Sequence, residues 1–384
     1  LRAEIVIIGG GLAGPAAAIR LARLGKRVIL IEQSQRARHK VCGEFLSYEA
    51  LGYLREVGLD PATLGAVKLD GVRLADKTNV SSAVLPFPAM SLTRCRLDEE
   101  LLRLAAEAGA SVMRGHRVQA LEREGRGWRA WLDDDVSITV DAAFLATGKH
   151  DLRGRPRITR RSWSLQSEMV GFKMYFRLST SEMESLAGHV ELVTYPGGYG
   201  GLQAVEGGVA NLCCLVERKR LRQLGGGWED LLQMMQQECP HLRRRLEGAR
   251  PTLKVALAIS SIPYGYTRTE SEEGLWSLGD QAAVIPSFTG DGMSIALHSG
   301  LLAAQMYAEG FTAADFQTRL RNEVSAQVRL ATWISRGLVW APTRWLGVSV
   351  VQHWPRLLRS IARRTRIDES ASLAIGRLAT PSTT

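Results

Sequence analysis

Gly9, Gly11 and Gly14 follow an apolar run, Glu4 to Ile8 (EIVII), in the spacing G-x-G-x-x-G. This spacing suits anion binding. Gly9 fits a tight turn, Gly11 lets backbone approach a pyrophosphate with no Cβ in the way, and Gly14 lets the next helix pack closely on the strand. That helix, Leu12 to Leu24, is rich in Ala and Leu, and its first N–H groups and dipole favour a negative charge. Gly25 stops it, Arg27 to Ile31 (RVILI) predicts a second strand, and Glu32 stands 18 residues after Gly14, where a carboxylate accepts bonds from ribose hydroxyls. Strand, turn, helix, strand and acid together read as a dinucleotide site; the plain structural alternative is an ordinary βαβ crossover.

Other chemically capable residues are scattered. Gln33 to Ser47 (QSQRARHKVCGEFLS) is a basic loop that turns abruptly into Cys42-Gly43-Glu44, with Ser47 as N-cap of a helix Tyr48 to Val57. Arg94 and Arg96 open an amphipathic helix within Ser91 to Ala108, where Arg94 either reaches a phosphate or is simply solvated. Gly274 to Leu278 predicts a strand running into Gly279-Asp280, and Gly290-Asp291-Gly292 opens a helix Met293 to Tyr307. In Met169 to Leu178, strict alternation predicts a half-buried strand with Val170, Phe172, Met174 and Phe176 on one face and Gly171, Lys173, Tyr175 and Arg177 on the other. Glu44, Lys173 and Tyr175 are the candidate catalytic residues for proton handling, with Cys42 and His298 behind them. The competing readings place Lys173 and Tyr175 in solvent and His298 in helix packing.

The elements that position these residues fall into two styles. Up to Gly148 the chain alternates strands and helices, with Asp141 to Gly148 as a strand returning to the site. From Arg153 to Ile262 it becomes a meander with glycine turns, plus one helix from Trp228 to Glu238. Expected boundaries are 1–72, 90–152 and 262–318 for the nucleotide domain, 73–89 and 153–261 for a substrate domain, and 319–384 for a C-terminal helical segment and tail. The fold class is α/β, a Rossmann-like domain with an inserted antiparallel-sheet domain. At 384 residues, 45% hydrophobic and 23% charged, disorder is excluded. The formal charge of +10 suits anionic ligands or a membrane surface; nucleic acid is not expected, because no basic motif carries stacking aromatics. Cys42, Cys95, Cys213, Cys214 and Cys239 show neither C-x-x-C nor zinc spacing, so no metal is expected. A cytoplasmic location is expected, with peripheral membrane contact through Trp333, Trp340, Trp345 and Trp354, which are interleaved with arginines and broken by Pro342 and Pro355.

GGGLAG with Glu32, Arg94 before Leu97-Asp98, and LGDQAAVIPSFTGDG occur in this order over residues 3 to 310. Together they resemble the FAD-binding signatures of the geranylgeranyl reductase and aromatic hydroxylase superfamily, and Cys42-Gly43-Glu44 is similar to a segment of the geranylgeranyl reductase-like proteins. The resemblance implies FAD, with Gly9, Gly11, Gly14 and Arg94 at the pyrophosphate, Glu32 at the adenosine ribose, and Gly279-Asp280 at the ribityl chain or pyrophosphate. It places Gly290 and Gly292 at the helix start facing the flavin. It also implies NAD(P)H as electron donor and a lipophilic small-molecule substrate, and leans to a monooxygenase acting on an aromatic or polyketide-like ring. Reduction of an isoprenoid C=C bond is the alternative, followed by halogenation or electron transfer to a protein partner. Two departures count: the Asp-Gly-containing stretch of the hydroxylases is replaced by Gly148-Lys149-His150, and the Trp-x-Trp-x-Ile-Pro motif of the halogenases is missing.

Overall fold

The computed structural model describes residues 3–133, 136–157 and 169–339. Strand β1 (Ile5–Ile8) is followed by helix α1 (Ala13–Arg23) and strand β2 (Val28–Glu32). β1 pairs in parallel with β2 on one side and with β10 (Ala142–Leu145) on the other. Beyond these lie β6 (Ser111–Arg114) and β17 (Leu275–Ser277), giving a five-stranded parallel sheet in the order β17-β10-β1-β2-β6. Such a strand must be apolar on both sides, and β1 shows why. Ile5 and Ile7 enter a cluster with helices α1, α2 (Tyr48–Val57), α3 (Arg94–Glu107), α8 (Gly292–Ala308) and α9 (Ala313–Val339). Val6 and Ile8 instead meet a small antiparallel sheet of β7 (Val118–Glu124), β8 (Gly127–Leu132) and β9 (Ser137–Val140). α8 presses on α1 so closely that a Cβ on Gly300 would lie 2.4 Å from the Ala13 carbonyl oxygen.

Among the described residues, the second sheet has nine strands. β11 (Met169–Arg177), β14 (Val209–Glu217), β13 (Gly198–Val205) and β12 (Gly188–Tyr195) run antiparallel, and β12 then pairs in parallel with β4 (Val67–Ala75). β5 (Val80–Ser91) follows, with β3 (Phe45–Leu46) beyond it, while β15 (Arg250–Pro251) and β16 (Leu257–Ser260) flank β11. Helices α4 (Thr180–Leu186), α5 (Arg218–Leu224), α6 (Trp228–Glu238) and α7 (Pro240–Arg245) cover its outer face around Phe172, Met174, Leu202 and Leu212.

Three sequence expectations are corrected. β11 is not half-buried: every residue from Met169 to Phe176 is buried, because the inner face of the sheet lies against the nucleotide domain. The sheet also takes more of the chain than 73–89, since β4 starts at Val67 and β5 continues to Ser91. Pro86 and Pro88 fall within β5 where residues 85–88 have no register partner on β4, and proline is tolerated where its missing N–H is not needed. Finally, the helix expected from residue 319 begins at Ala313 and runs unbroken to Val339. Trp333 on it is exposed, whereas Trp340, Trp345, Trp354 and the breaks at Pro342 and Pro355 lie outside the described residues. Among the described residues, no helix is long and apolar enough to cross a membrane.

Candidate active site

The three glycines of the turn are not equivalent. Gly9 holds φ +115°, and a Cβ there would lie 2.3 Å from the Ala146 carbonyl oxygen; on Gly14 it would lie 2.0 Å from the Gly9 carbonyl oxygen. Both are required by the chain's own packing. At Gly11 the nearest atom to a Cβ is Arg94 Nη2, at 3.5 Å. The middle glycine therefore keeps an open face, with a guanidinium beside it and the start of α1 behind it. Glu32 is fixed next to this turn: its Oε2 accepts from the Gly10 N–H at 2.8 Å and its Oε1 from the Ser34 N–H at 2.9 Å.

Arg94 is held by a two-toothed contact with Asp98, Nε to Oδ1 at 2.8 Å and Nη2 to Oδ2 at 3.0 Å. Asp98 also binds Lys40 Nζ at 2.6 Å. Arg96 is exposed and sits 3.6 Å from Glu206. From the far end of the chain, Gly279 reaches the same place: its would-be Cβ lies 3.4 Å from Ala13 Cβ, and its N–H donates to Ser299 Oγ on α8. Arg157, outside the sequence expectations, donates to the Asp280 carbonyl oxygen. An open glycine, a fixed guanidinium, a pinned carboxylate and a helix start fit the pyrophosphate and ribose of FAD. Arg94→Ala is expected to weaken FAD binding roughly tenfold to hundredfold, through loss of charge-assisted contacts, in a fluorescence titration of the apoprotein.

The second half of the site is built on Glu44. This residue is fully buried and has φ +62°, a left-handed conformation that costs a non-glycine residue on the order of 1–3 kcal/mol. Its carboxylate is gripped from three directions. Oε1 lies 2.6 Å from Lys173 Nζ, accepts from the Arg94 N–H at 2.7 Å, and accepts from the Tyr175 hydroxyl at 2.8 Å. Lys173 is also fully buried. Tyr175 in turn meets His39 Nδ1 at 3.0 Å, and His39 is only partly buried. The loop is braced by Asn211, whose Nδ2 donates to the Gly43 carbonyl oxygen at 2.9 Å, and by Lys149, whose Nζ donates to that of Val41 at 3.1 Å. Gly290 closes the arrangement, since a Cβ there would lie 2.5 Å from the Phe45 ring. Thus the start of α8, from Gly292, adjoins the Cys42-Gly43-Glu44 loop, and Ser47 Oγ meets Ser294 Oγ at 2.7 Å.

Electrostatics sets the proton inventory. Burial raises the Glu44 pKa, while Lys173, the Arg94 N–H and Tyr175 pull it back. Burial, followed by the Glu44 charge, raises that of Tyr175, and burial together with Lys173 lowers that of His39. Replacing Lys173 by Met removes the strongest lowering influence on Glu44. The folded-state pKa then rises further above the unfolded value of about 4.3, so the variant is most stable below that pH and loses stability as pH rises through the folded value. Lys173→Met is expected to cost about 3–5 kcal/mol at pH 8 and distinctly less at pH 5, read by urea unfolding at both.

Glu44 is therefore brought to Lys173 and Tyr175, which lie 129 and 131 positions further along the chain. His298 is placed elsewhere: fully buried in α8, it bonds Tyr53 Oη at 2.9 Å and Glu323 Oε2 at 2.7 Å, which ties α8 to α2 and α9. His39 and Asn211 escaped the sequence reading. Asn211 pairs in register with Tyr175, so a polar residue on the inward face of β14 was the available signal.

Residues 2–149 match the family model of the FAD binding domain. Among curated proteins, the chain is 27% identical to a menaquinone reductase of Mycolicibacterium smegmatis over 80% of this chain and 77% of the relative. It is 26% identical to digeranylgeranylglycerophospholipid reductase 2 of Methanosphaera stadtmanae, over 85% and 83% respectively. Among solved structures, the flavin-dependent brominase Bmp2 superposes with a TM-score of 0.77 at 17% identity, covering 98% of both chains, a likeness of fold. Residues 2–149 thus carry an FAD binding domain, and over most of its length the chain is similar to these two reductases.

Proposed function

We propose that this protein reduces a carbon–carbon double bond of an isoprenoid-bearing lipophilic molecule, drawing its electrons from NAD(P)H through FAD. One observation carries the reading: a buried carboxyl, ammonium and phenol set on the sheet wall, joined to the cofactor loop through Arg94 and to a partly exposed imidazole through Tyr175. When bound and reduced, FAD supplies a hydride. Saturating an alkene then needs one proton at the neighbouring carbon, and the Glu44–Lys173 pair holds a proton away from bulk water. The Tyr175 hydroxyl links that pair to His39, which returns a proton from solvent. Sheet register puts Lys173, Cys213 and Gly201 in one row and Gly171, Leu215 and Tyr199 in the next. Tyr199, Leu215, Tyr264 and Ile262 form an apolar cluster on this inner face, suited to a hydrocarbon chain. The reductase names of the two curated relatives agree with this preference over ring hydroxylation.

The test is turnover of the FAD-loaded protein, reduced by dithionite without oxygen in D2O, with menaquinone and with a geranylgeranylated glycerophospholipid in separate assays. A product that has gained two hydrogens, both of them deuterium because dithionite supplies only electrons and the reduced flavin takes its transferable hydrogen from solvent, supports the reading. No anaerobic product, together with an oxygenated product in air, overturns it in favour of the monooxygenase.

A further inference from the structure

The outer face of the second sheet carries a cleft of about 660 Å³ that takes no part in the site above. Register separates the two. Met174, Leu212, Leu202, Glu191 and Arg73 are successive partners across β11, β14, β13, β12 and β4, so Arg73 lies on the outer face and Lys173 and Tyr175, its alternates, on the inner one. Arg73, Lys77, Arg243, Arg244 and Arg245 line the cleft, against a single lining carboxylate, Asp76. Asp76 is occupied within its own turn, accepting from the N–H groups of Thr78 and Asn79.

The floor is a buried ion network. Glu191, fully buried, accepts from Arg73 at 2.8 Å and Arg245 at 2.7 Å and lies 2.8 Å from His241 Nε2, while Arg245 also reaches Glu182. Two guanidinium groups thus face two carboxylates, and the floor is balanced. The mouth is not. Lys77 and Arg243 form no ion pair among the described residues, and Arg244 is mostly exposed, 3.8 Å from Glu182. Arginines at the end of α7 complement its C-terminal carbonyls, which accounts for their place on the helix but not for Lys77, which faces them from the β4–β5 turn. A concave wall with uncompensated cations on opposite sides concentrates field lines and binds multiply charged anions.

We infer that this cleft is a binding site for a phosphate-bearing polyanion, held at the mouth by Lys77, Arg243 and Arg244, with the balanced floor giving it a rigid base. The size admits a diphosphate or a phosphorylated headgroup, carried either by a soluble molecule or by a lipid. Calorimetric titration of the full-length holoprotein with inorganic pyrophosphate, and co-sedimentation with phosphatidylcholine vesicles containing or lacking phosphatidylglycerol, distinguish the two sources. The double variant Lys77→Glu, Arg243→Glu leaves the floor network intact, and unchanged FAD absorbance and thermal unfolding verify its fold. Pyrophosphate binding that weakens tenfold or more in the variant and falls with added salt supports a soluble ligand. Retention only on the anionic vesicles, abolished by the same variant, supports a lipid headgroup. Failure of the wild type to bind either, or equal binding by the variant, overturns the inference.

Discussion

Glu44→Gln is expected to lower kcat for the organic substrate by about 10²–10⁴, the usual worth of a positioned proton donor, while FAD remains bound. Glutamine keeps the shape and the acceptor for the Arg94 N–H, so the left-handed turn and the glycine loop stay in place. It cannot exchange a proton with Lys173 or Tyr175, whose contacts with Glu44 are 2.6 and 2.8 Å. The informative readout is a split: reduction of the bound flavin by an external donor unchanged, reoxidation of the reduced flavin by the organic substrate slowed by the same factor as kcat. A variant retaining kcat within about twofold would remove Glu44 from proton transfer.

The second large effect comes from paired substitutions in the glycine turn. Gly14→Ala forces a methyl to within 2.0 Å of the Gly9 carbonyl oxygen, so α1 must shift from β1. Overpacking against backbone costs about 3 kcal/mol or more, and the melting temperature should fall by roughly 5 °C or more whether or not FAD is present. Gly11→Ala meets nothing closer than Arg94 Nη2 at 3.5 Å, so the apoprotein should melt as the wild type does. Its methyl fills the open face beside Arg94 that suits a pyrophosphate, and FAD affinity should fall about a hundredfold, near 2.7 kcal/mol. Circular dichroism melts with and without added FAD separate the two. Equal behaviour of the variants would erase the distinction between packing and binding glycines.

The nucleotide half was legible because its signals are local. EIVII, the glycines and Glu32 sit within 29 residues of one another, and each demands a particular backbone. Ser47 as N-cap of α2 was readable for the same reason. The acid site was only half legible. Glu44, Lys173 and Tyr175 stood out by type, but alternation in β11 could not reveal that its polar face is pressed onto the Cys42 loop rather than left in water, because burial of that face depends on residues more than 120 positions away. His39 was hidden in a basic loop with no periodicity, and Asn211 in a meander whose register only the fold defines. The outer cleft was illegible for the same reason, since Arg73 and Arg243, which line it together, stand 170 positions apart.

The one parallel join in the second sheet among the described residues, Val72 opposite Val190, has a kinetic consequence. No hairpin can nucleate it, because more than a hundred residues must be laid down before the partner strand exists, and loop closure of that length precedes any reward. The join also decides when β4 and β5, with Pro86 and Pro88, cease to be an exposed ribbon on the growing chain. Both halves of the site therefore wait for distant chain, the glycine turn for Gly279 and Glu44 for Lys173. During synthesis, Glu44 waits for the strand that brings Lys173 to it, and the buried ion pair closes only once that strand has joined the sheet.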